Sequence, residues 1–572
     1  PIKNEDGSYN YPAGSNSNGL QRLEEGGYRQ NVNDELLGTI QAEWEVYKGL
    51  KLIGSAGGRV WNNNLHENRK AFEGTGDSEN KLTEQFYRSK NITTNLMVTY
   101  NTKIGKHSIG GLLGYAYEGF SEKQFSTSRL TEDSTYEIFV GVLSGDNVSN
   151  GGSASDWAIY SGFARATYNY DEKYLLEFNI RNDYSSYFAK GNRSGVFPSF
   201  SAGWRISEES FMQGASDYLS NLKLRVSWGK TGNNSTGNYD WQANYATGNV
   251  VIDGEGTKGL VRKKLSNDKL HWESTATTDI GLDFGFFNNR LTGEIDYYNK
   301  YTSDILYHPE LYLSMGVVGS APENLGEVRN RGVEFTLNWN DRIGDFTYRV
   351  GANYTHWEEV TVRHADKSTD YYYANLNDLG VNAHAETYNI SWQTNGIFTS
   401  YDDMYNSYLH FKRNHTVGTF RMDDRNGDGV LGIADYAYNE GGGTTPQTLY
   451  GITLGMGWKD FSFEVFFQGA TSVSGDVTSP ARSQQDYYWK YGKYLFQESY
   501  TPSNPITNKL PLPTNSSYGW GYNYVDVWGY DASYLKLKNI SVSYDLKRRV
   551  LKNVDYIKGL SVNFIANNVC TW

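Results

Sequence analysis

The sequence predicts an all-β chain, a large antiparallel transmembrane β-barrel. Apolar and polar side chains alternate with period two along many segments, as in strands with one apolar and one wet face. Short and long connections alternate between those segments, which sorts tight turns to one rim and long loops to the other. Aromatic residues gather where the segments end (Trp44, Trp157, Tyr168, Tyr170, Trp204, Trp228, Trp339 and Trp458), as the two interface girdles of such a barrel require.

Taken in order, Tyr174, Leu176, Phe178 and Ile180 oppose Glu177, Asn179 and Arg181. Leu222, Leu224, Val226 and Trp228 oppose Lys223, Arg225 and Ser227. Ile280, Leu282, Phe284 and Phe286 alternate with Asp279, Gly281, Asp283 and Gly285. Val333 to Trp339 and Phe346 to Tyr354 repeat the pattern. Turns fall near Tyr47–Gly49, Lys103–Lys106, Asp171–Lys173, Phe287–Asn289, Asp341–Asp345 and Lys459–Asp460, and loops cover 63–83, 121–155, 231–273, 307–329, 358–446 and 473–530. A soluble sandwich would alternate as well, but it has no reason to sort its connections in this way.

Composition agrees. The 572 residues are 15% aromatic, with 47 Tyr and 15 Trp, yet only 38% hydrophobic. No stretch approaches the ~18–20 apolar residues of a spanning helix, whereas a barrel needs only alternate residues to face lipid. A net charge of -12 argues against nucleic acid as a partner. One cysteine, Cys570, leaves no internal disulfide and no thiolate metal cluster.

About sixteen strands are counted in residues 1–572, which read as one partial barrel. Pro1–Asn33 lies at the long-loop rim and the last strand, about 559–569, runs toward that same rim, so a further strand must return the chain to the turn side. A barrel of about 22 strands is expected for the full protein, wide enough to hold a plug. The plug, the first strands and the last strand are expected outside this sequence.

Several segments resemble the SusC family of TonB-dependent transporters from the Bacteroidetes. Lys173–Phe211 contains KYLLEFNIRNDYSSYF and GVFPSFSAGWRISEESF, and Leu222–Asn233 reads LKLRVSWGKTGN. Trp272–Leu306 (WESTATTDIGLDFGFFNNRLTGEIDYYNKYTSDIL) and Asn324–Trp339 (NLGEVRNRGVEFTLNW) follow in order. DDRNGDGVLGIADY (Asp423–Tyr436), SYLKLKNISVSYDL (Ser533–Leu546) and NFIANNVCTW (Asn563–Trp572) complete the series. The resemblance implies a Gram-negative outer-membrane location, an N-terminal plug, coupling to TonB and a SusD-like lipoprotein lid. It further implies active import of a bulky nutrient, an oligosaccharide or an oligopeptide, and no enzymatic activity. A passive outer-membrane pore or adhesin barrel is the alternative.

One local motif has ligand spacing. Asp424, Asn426, Asp428, the Val430 carbonyl and Asp435 occupy positions 1, 3, 5, 7 and 12 of a calcium loop, with Gly429 at position 6. Asp replaces the usual Glu at position 12, and no helix pair flanks the loop; an Asx-rich turn without metal is the plainer reading. Ca2+ bound there, at the loop rim, would stiffen a loop. Gly229-Lys230-Thr231 is not a P-loop, because the first required glycine falls at Leu224. Glu294 and Asp296 share a strand face and read as water-facing residues of the lumen rather than a glycosidase pair. Trp489, Trp520, Tyr522 and Trp528 are the candidate substrate contacts, by stacking on sugar rings or peptide side chains; packing against a plug or lid would use the same residues.

Overall fold

The computed structural model describes residues 3–11, 18–72, 80–131, 148–252, 254–309, 319–363, 388–408, 416–425, 427–431, 435–443, 445–476, 499–501, 510–511, 526 and 529–572. After the short helix α1 (Gly19–Glu25), the wall begins with β1 (Gly27–Tyr47), β2 (Leu50–Arg69), β3 (Asn80–Ile104), β4 (His107–Thr131) and β5 (Val148–Tyr170). It continues through β6 (Tyr174–Ser185), β7 (Ser194–Arg205) and β8 (Leu219–Asn233). A hairpin outside the wall, β9 (Asn244–Ile252) with β10 (Glu255–Lys264), precedes β11 (Glu273–Phe286), β12 (Leu291–Tyr307), β13 (Glu323–Ile343) and β14 (Phe346–Arg363).

Four short strands lie in the next long connection: β15 (Tyr388–Trp392), β16 (Thr394–Ile397), β17 (Phe420–Met422) and β18 (Tyr436–Gly443). The wall resumes with β19 (Thr448–Trp458) and β20 (Phe461–Thr471). After the small pair β21 (Ser474–Asp476) and β22 (Gly529–Asp531), it ends with β23 (Tyr534–Asp545) and β24 (Ser561–Thr571). Sixteen strands hydrogen-bond in sequence order, every pair antiparallel, as the alternation predicts. β1 and β24 are the two edges of this sheet, each with one neighbour.

Register assigns every wall residue to a face. Leu52, Val98, Leu113, Ala164 and Ile180 fall in line across successive strands, and so do Val226, Ile280, Tyr297 and Val333. This apolar face meets lipid. The opposite parity carries Ser55, Asn95, Thr167, Glu177 and Arg225 and faces the lumen. On β3 the outward series runs Tyr100, Val98, Leu96, Thr94, Ile92 and then turns to Lys90 and Arg88. Ten residues at ~3.3 Å rise, tilted about 40°, give roughly 25 Å, the height of a membrane band.

The strands continue well past that band. β1 to β5 are 20 to 25 residues long, so much of the expected loop ranges 63–83 and 121–155 is strand. The membrane sets only where the apolar side chains stop. The ladder itself can run on in water, because cross-strand pairs above the band still hold it: Phe86 meets Phe125 at 5.8 Å and Trp61 meets Tyr87 at 5.2 Å. β1 likewise starts at Gly27, inside the stretch expected to be loop-like.

Trp157 is a second correction. It lies opposite Phe120 on the lumen parity and stacks on that ring at 5.7 Å, so it does not belong to the lipid girdle. Trp44, Tyr168, Tyr170, Trp204, Trp228, Trp339 and Trp458 keep the outward parity. At the turn rim, Glu209 accepts bonds from Tyr174 Oη (2.5 Å) and Trp204 Nε1 (3.1 Å), with Lys173 3.6 Å away. Those partners hold its carboxyl below the usual range.

Candidate functional site

A barrel works through its lumen, so the site is built from the inward residues. Two arginines there reach across a neighbouring strand. Arg225 on β8 lies opposite Gly281 on β11, and Gly281 lies opposite Asp296 on β12. The guanidinium passes over the glycine to Asp296 (2.9 Å) and also meets Asp283 (2.8 Å), which Lys223 approaches at 3.7 Å. A Cβ at 281 would overlap both the Asp296 carboxylate and the Arg225 guanidinium. Arg349 on β14 repeats the device, crossing Gly455 on β19 to pair with Glu464 on β20. Asp296 is thus half of an ion pair on the lumen face, the face it shares with Glu294.

The crossings lie in two concave parts of the inner wall. One recess of about 740 Å³ is lined by residues of seven strands, including Asn101, Thr167, Glu177, Ser201, Arg225 and Asp279. A second, of about 630 Å³, is lined by Arg342, Thr347, Arg349, Ser462, Glu464 and Ser541. Sequence reasoning placed these residues on the wet face but could not pair them. An Arg–Gly–acid triad spans three strands, and its signal lies in registers no single segment contains.

The mouth is framed by loops that pack on one another. Phe188, Leu270 and Trp272 are buried together, with Phe197, Trp241 and Leu306 against them. Trp272 Nε1 donates to the Arg193 carbonyl (2.8 Å) and Asn192 to the Asp268 carbonyl (2.7 Å), tying the 186–193 and 234–272 connections together. Inside the longer one, burial opposes ionisation of Asp240. Bonds from Lys264 (2.6 Å), Thr236 and Gly237 outweigh it and hold the carboxyl below its ordinary range.

The 424–435 loop follows β17, which pairs with β16, and Ile397, Phe398, Met404, Phe420, Met422 and Leu431 in and beside these segments are each buried. Its carboxylates are engaged by backbone N–H groups. Asp424 accepts from Gly427 and Gly429, both at 2.9 Å, and Asp428 from Val430 at 2.8 Å. The buried Asp435 accepts from Arg425 at 3.0 Å. Gly427 (φ +72°) and Gly429 (φ +82°) take the left-handed turns this needs. An all-oxygen donor set suits calcium, yet among the described residues no three His, Cys, Asp or Glu converge on a metal position. Asn426 lies outside the described residues, as do Trp489, Trp520, Tyr522 and Trp528.

Comparison with known proteins places this architecture. The profile of the family described as TonB dependent receptor-like, beta-barrel, matches residues 2–569. The chain belongs to that family. The barrel is 28% identical over 566 residues to TonB-dependent receptor SusC of Bacteroides thetaiotaomicron, covering 96% of this chain and 53% of that protein. TonB-dependent receptor P3 of Formosa agariphila is 28% identical over 494 residues, covering 82% and 47%. The fold matches the structure of the RagAB peptide importer in the closed-closed state with a TM-score of 0.77 at 23% identity, over 95% of this chain and 59% of that one. The SusC-type resemblance holds along almost the whole barrel, and with it the outer-membrane location. The chain spans about half the length of the curated relatives it matches.

Proposed function

We propose that this barrel is the wall of a TonB-dependent importer that takes up a bulky nutrient, an oligosaccharide or an oligopeptide, beneath a SusD-like surface lipoprotein. The observation that carries the reading is a sixteen-stranded wall, apolar outside, whose inner face is polar and charged and curves into two recesses. A wall of this size encloses far more space than its own side chains fill, and its two open edges require further strands. Closure at about 22 strands around a plug, supplied by the rest of the protein, satisfies both. Similarity to the TonB-dependent receptor SusC supports TonB coupling, and the likeness in fold to a peptide importer is in keeping with the oligopeptide class.

The test is purification of the intact protein from its native outer membrane in mild detergent, with identification of what accompanies it. A co-purifying surface lipoprotein with bound glycan or peptide, and uptake that stops when TonB is deleted, are the expected results. Uptake that persists without TonB would make the barrel a passive pore.

We also propose that the 424–435 loop takes up Ca2+. Asp424, Asn426, Asp428, Asp435 and the Val430 carbonyl would hold it. The ion would offset two of the three carboxylate charges and fasten the loop to its β16–β17 base. Calcium should raise the loop's protection from proteolysis in the parent protein and not in Asp428→Ala; equal protection in both would remove the site.

A further inference from the structure

We propose that Arg88, Lys90 and Lys123, on the outer surface of the wall, bind the phosphate groups of an outer-leaflet membrane lipid. Arg88 on β3 lies directly opposite Lys123 on β4, and Lys90 lies opposite Ser121. All three cations point outward, since they share parity with Ile92 and Leu96 on β3 and with Leu113 and Tyr117 on β4. Each is exposed, and none forms an ion pair with a described residue. Like charges directly opposed across a ladder are destabilising, so an anion seated between them relieves a cost built into the sheet.

Of the outward acids nearby, Asp34 on β1 lies two strands from Arg88, beyond Asn62, and the other two are engaged elsewhere. Glu84 accepts from His66 at 2.6 Å, and Asp156 accepts from Tyr239 at 2.8 Å. Arg331, an outward cation on β13, is by contrast already paired with Glu358. The β3–β4 cations are therefore available to an external anion.

Their height names that anion. Lys90 is one outward position above Ile92, where the face changes from apolar to charged, on the long-loop side of the band. Lipid phosphates lie at this boundary. Asn62, opposite Arg88, and Ser121 add neutral hydrogen-bonding groups, and a guanidinium can hold a phosphate through two bonds at once. Below, Ile92 lies between Gly58 and Gly119 in the register. No side chain comes within 4 Å of where a Cβ would stand at Gly58, so a trough runs down the apolar face under the cations. An acyl chain fits along it. The Tyr117 ring covers Gly119 on the other side of Ile92 and brings its phenol to the same boundary.

This inference does not depend on what the lumen carries. The test places the full-length protein, with any co-purifying partner, in phosphatidylcholine nanodiscs containing diphosphoryl lipid A or its dephosphorylated form. Native mass spectrometry then counts retained lipid. A basic residue beside an anionic lipid surface is worth about fivefold in affinity. The R88Q/K90Q/K123Q variant should therefore retain diphosphoryl lipid A roughly 100-fold more weakly, with the heat-modifiable gel migration of a folded barrel. Should the triple variant not fold, R88Q and K123Q singly should each lose about fivefold. K230Q, which removes an outward cation on β8, should bind as the parent does. The dephosphorylated lipid should bind the parent only as weakly as the phosphorylated lipid binds the variant. Equal retention of the two lipids or unchanged retention by the variants would overturn the proposal.

Discussion

The wall has two sectors that build the mouth differently. From β1 to β5 the strands are 20 to 25 residues long and carry the rim themselves. From β6 to β8 they are 12 to 15 residues, and the height is made up by loops packed around Phe188, Leu270 and Trp272. Both solutions must satisfy backbone groups above the membrane. The tall sector does so with ladder bonds, which need no apolar burial. The short sector needs a core, because irregular backbone is held in place only by side-chain packing and capping. The tall sector should therefore tolerate outward substitutions above the band, whereas the loop sector should depend on single buried side chains.

The sharpest way to break this contrast is Phe188→Ala. A fully buried aromatic lost from a small core costs about 3–5 kcal/mol. Amide exchange in 186–193 and 266–272 should accelerate by more than about 100-fold, while β3 and β4 keep their protection. Uniform acceleration across the wall would mean that the sectors are not independent.

Next in size is Leu113→Arg, in the middle of the outward apolar band of β4. It should lower barrel stability in lipid by about 2–4 kcal/mol, read from urea unfolding in vesicles. The same change twelve residues higher on that face, Phe125→Arg, is the smallest effect expected. It should cost no more than about 1 kcal/mol, chiefly the lost pair with Phe86. Similar costs at the two positions would show that the membrane reaches higher than the Lys90 boundary.

Between these falls a pH effect confined to the loop sector. The folded state depresses the Asp240 carboxyl below its ordinary value. The stabilisation is then complete above about pH 4 and is lost as pH falls through the lower folded value. Proteolysis within 234–272 by an acid-active protease should rise as pH drops below about 4, relative to an unfolded control peptide at each pH, and Asp240→Asn should show a raised rate at pH 7 with a neutral protease. No pH dependence in the parent would leave the Lys264 clamp without energetic weight.

Much of the fold was legible because a strand writes its two faces into alternate letters. Ile280 to Phe286 and Val333 to Trp339 name their outward sets without any neighbour, and the count of sixteen strands follows from such runs. The turns at Asp171–Lys173 and Lys459–Asp460 were equally local, and positive φ at Asp171, Glu172 and Lys459 shows the backbone those residues supply. Outer-membrane location and family membership rest on the same letters, since lipid exposure acts on each strand separately.

What the tertiary structure decided is whatever depends on register between distant segments. Trp157 looked like a girdle residue until its pairing with Phe120 turned it inward. Residues 121–131 looked like loop because their outward face is polar apart from Phe125, yet β3 holds them in a ladder above the membrane. The passage of Arg225 over Gly281 to Asp296, and of Arg349 over Gly455 to Glu464, requires three strands in fixed alignment. The opposition of Arg88 and Lys123 likewise joins residues 35 positions apart in the chain. Sequence set which face each side chain takes, through the two-residue repeat of the strand. Only the ladders between strands set which side chains meet, because cross-strand distance is fixed by hydrogen bonds between segments that carry no record of one another.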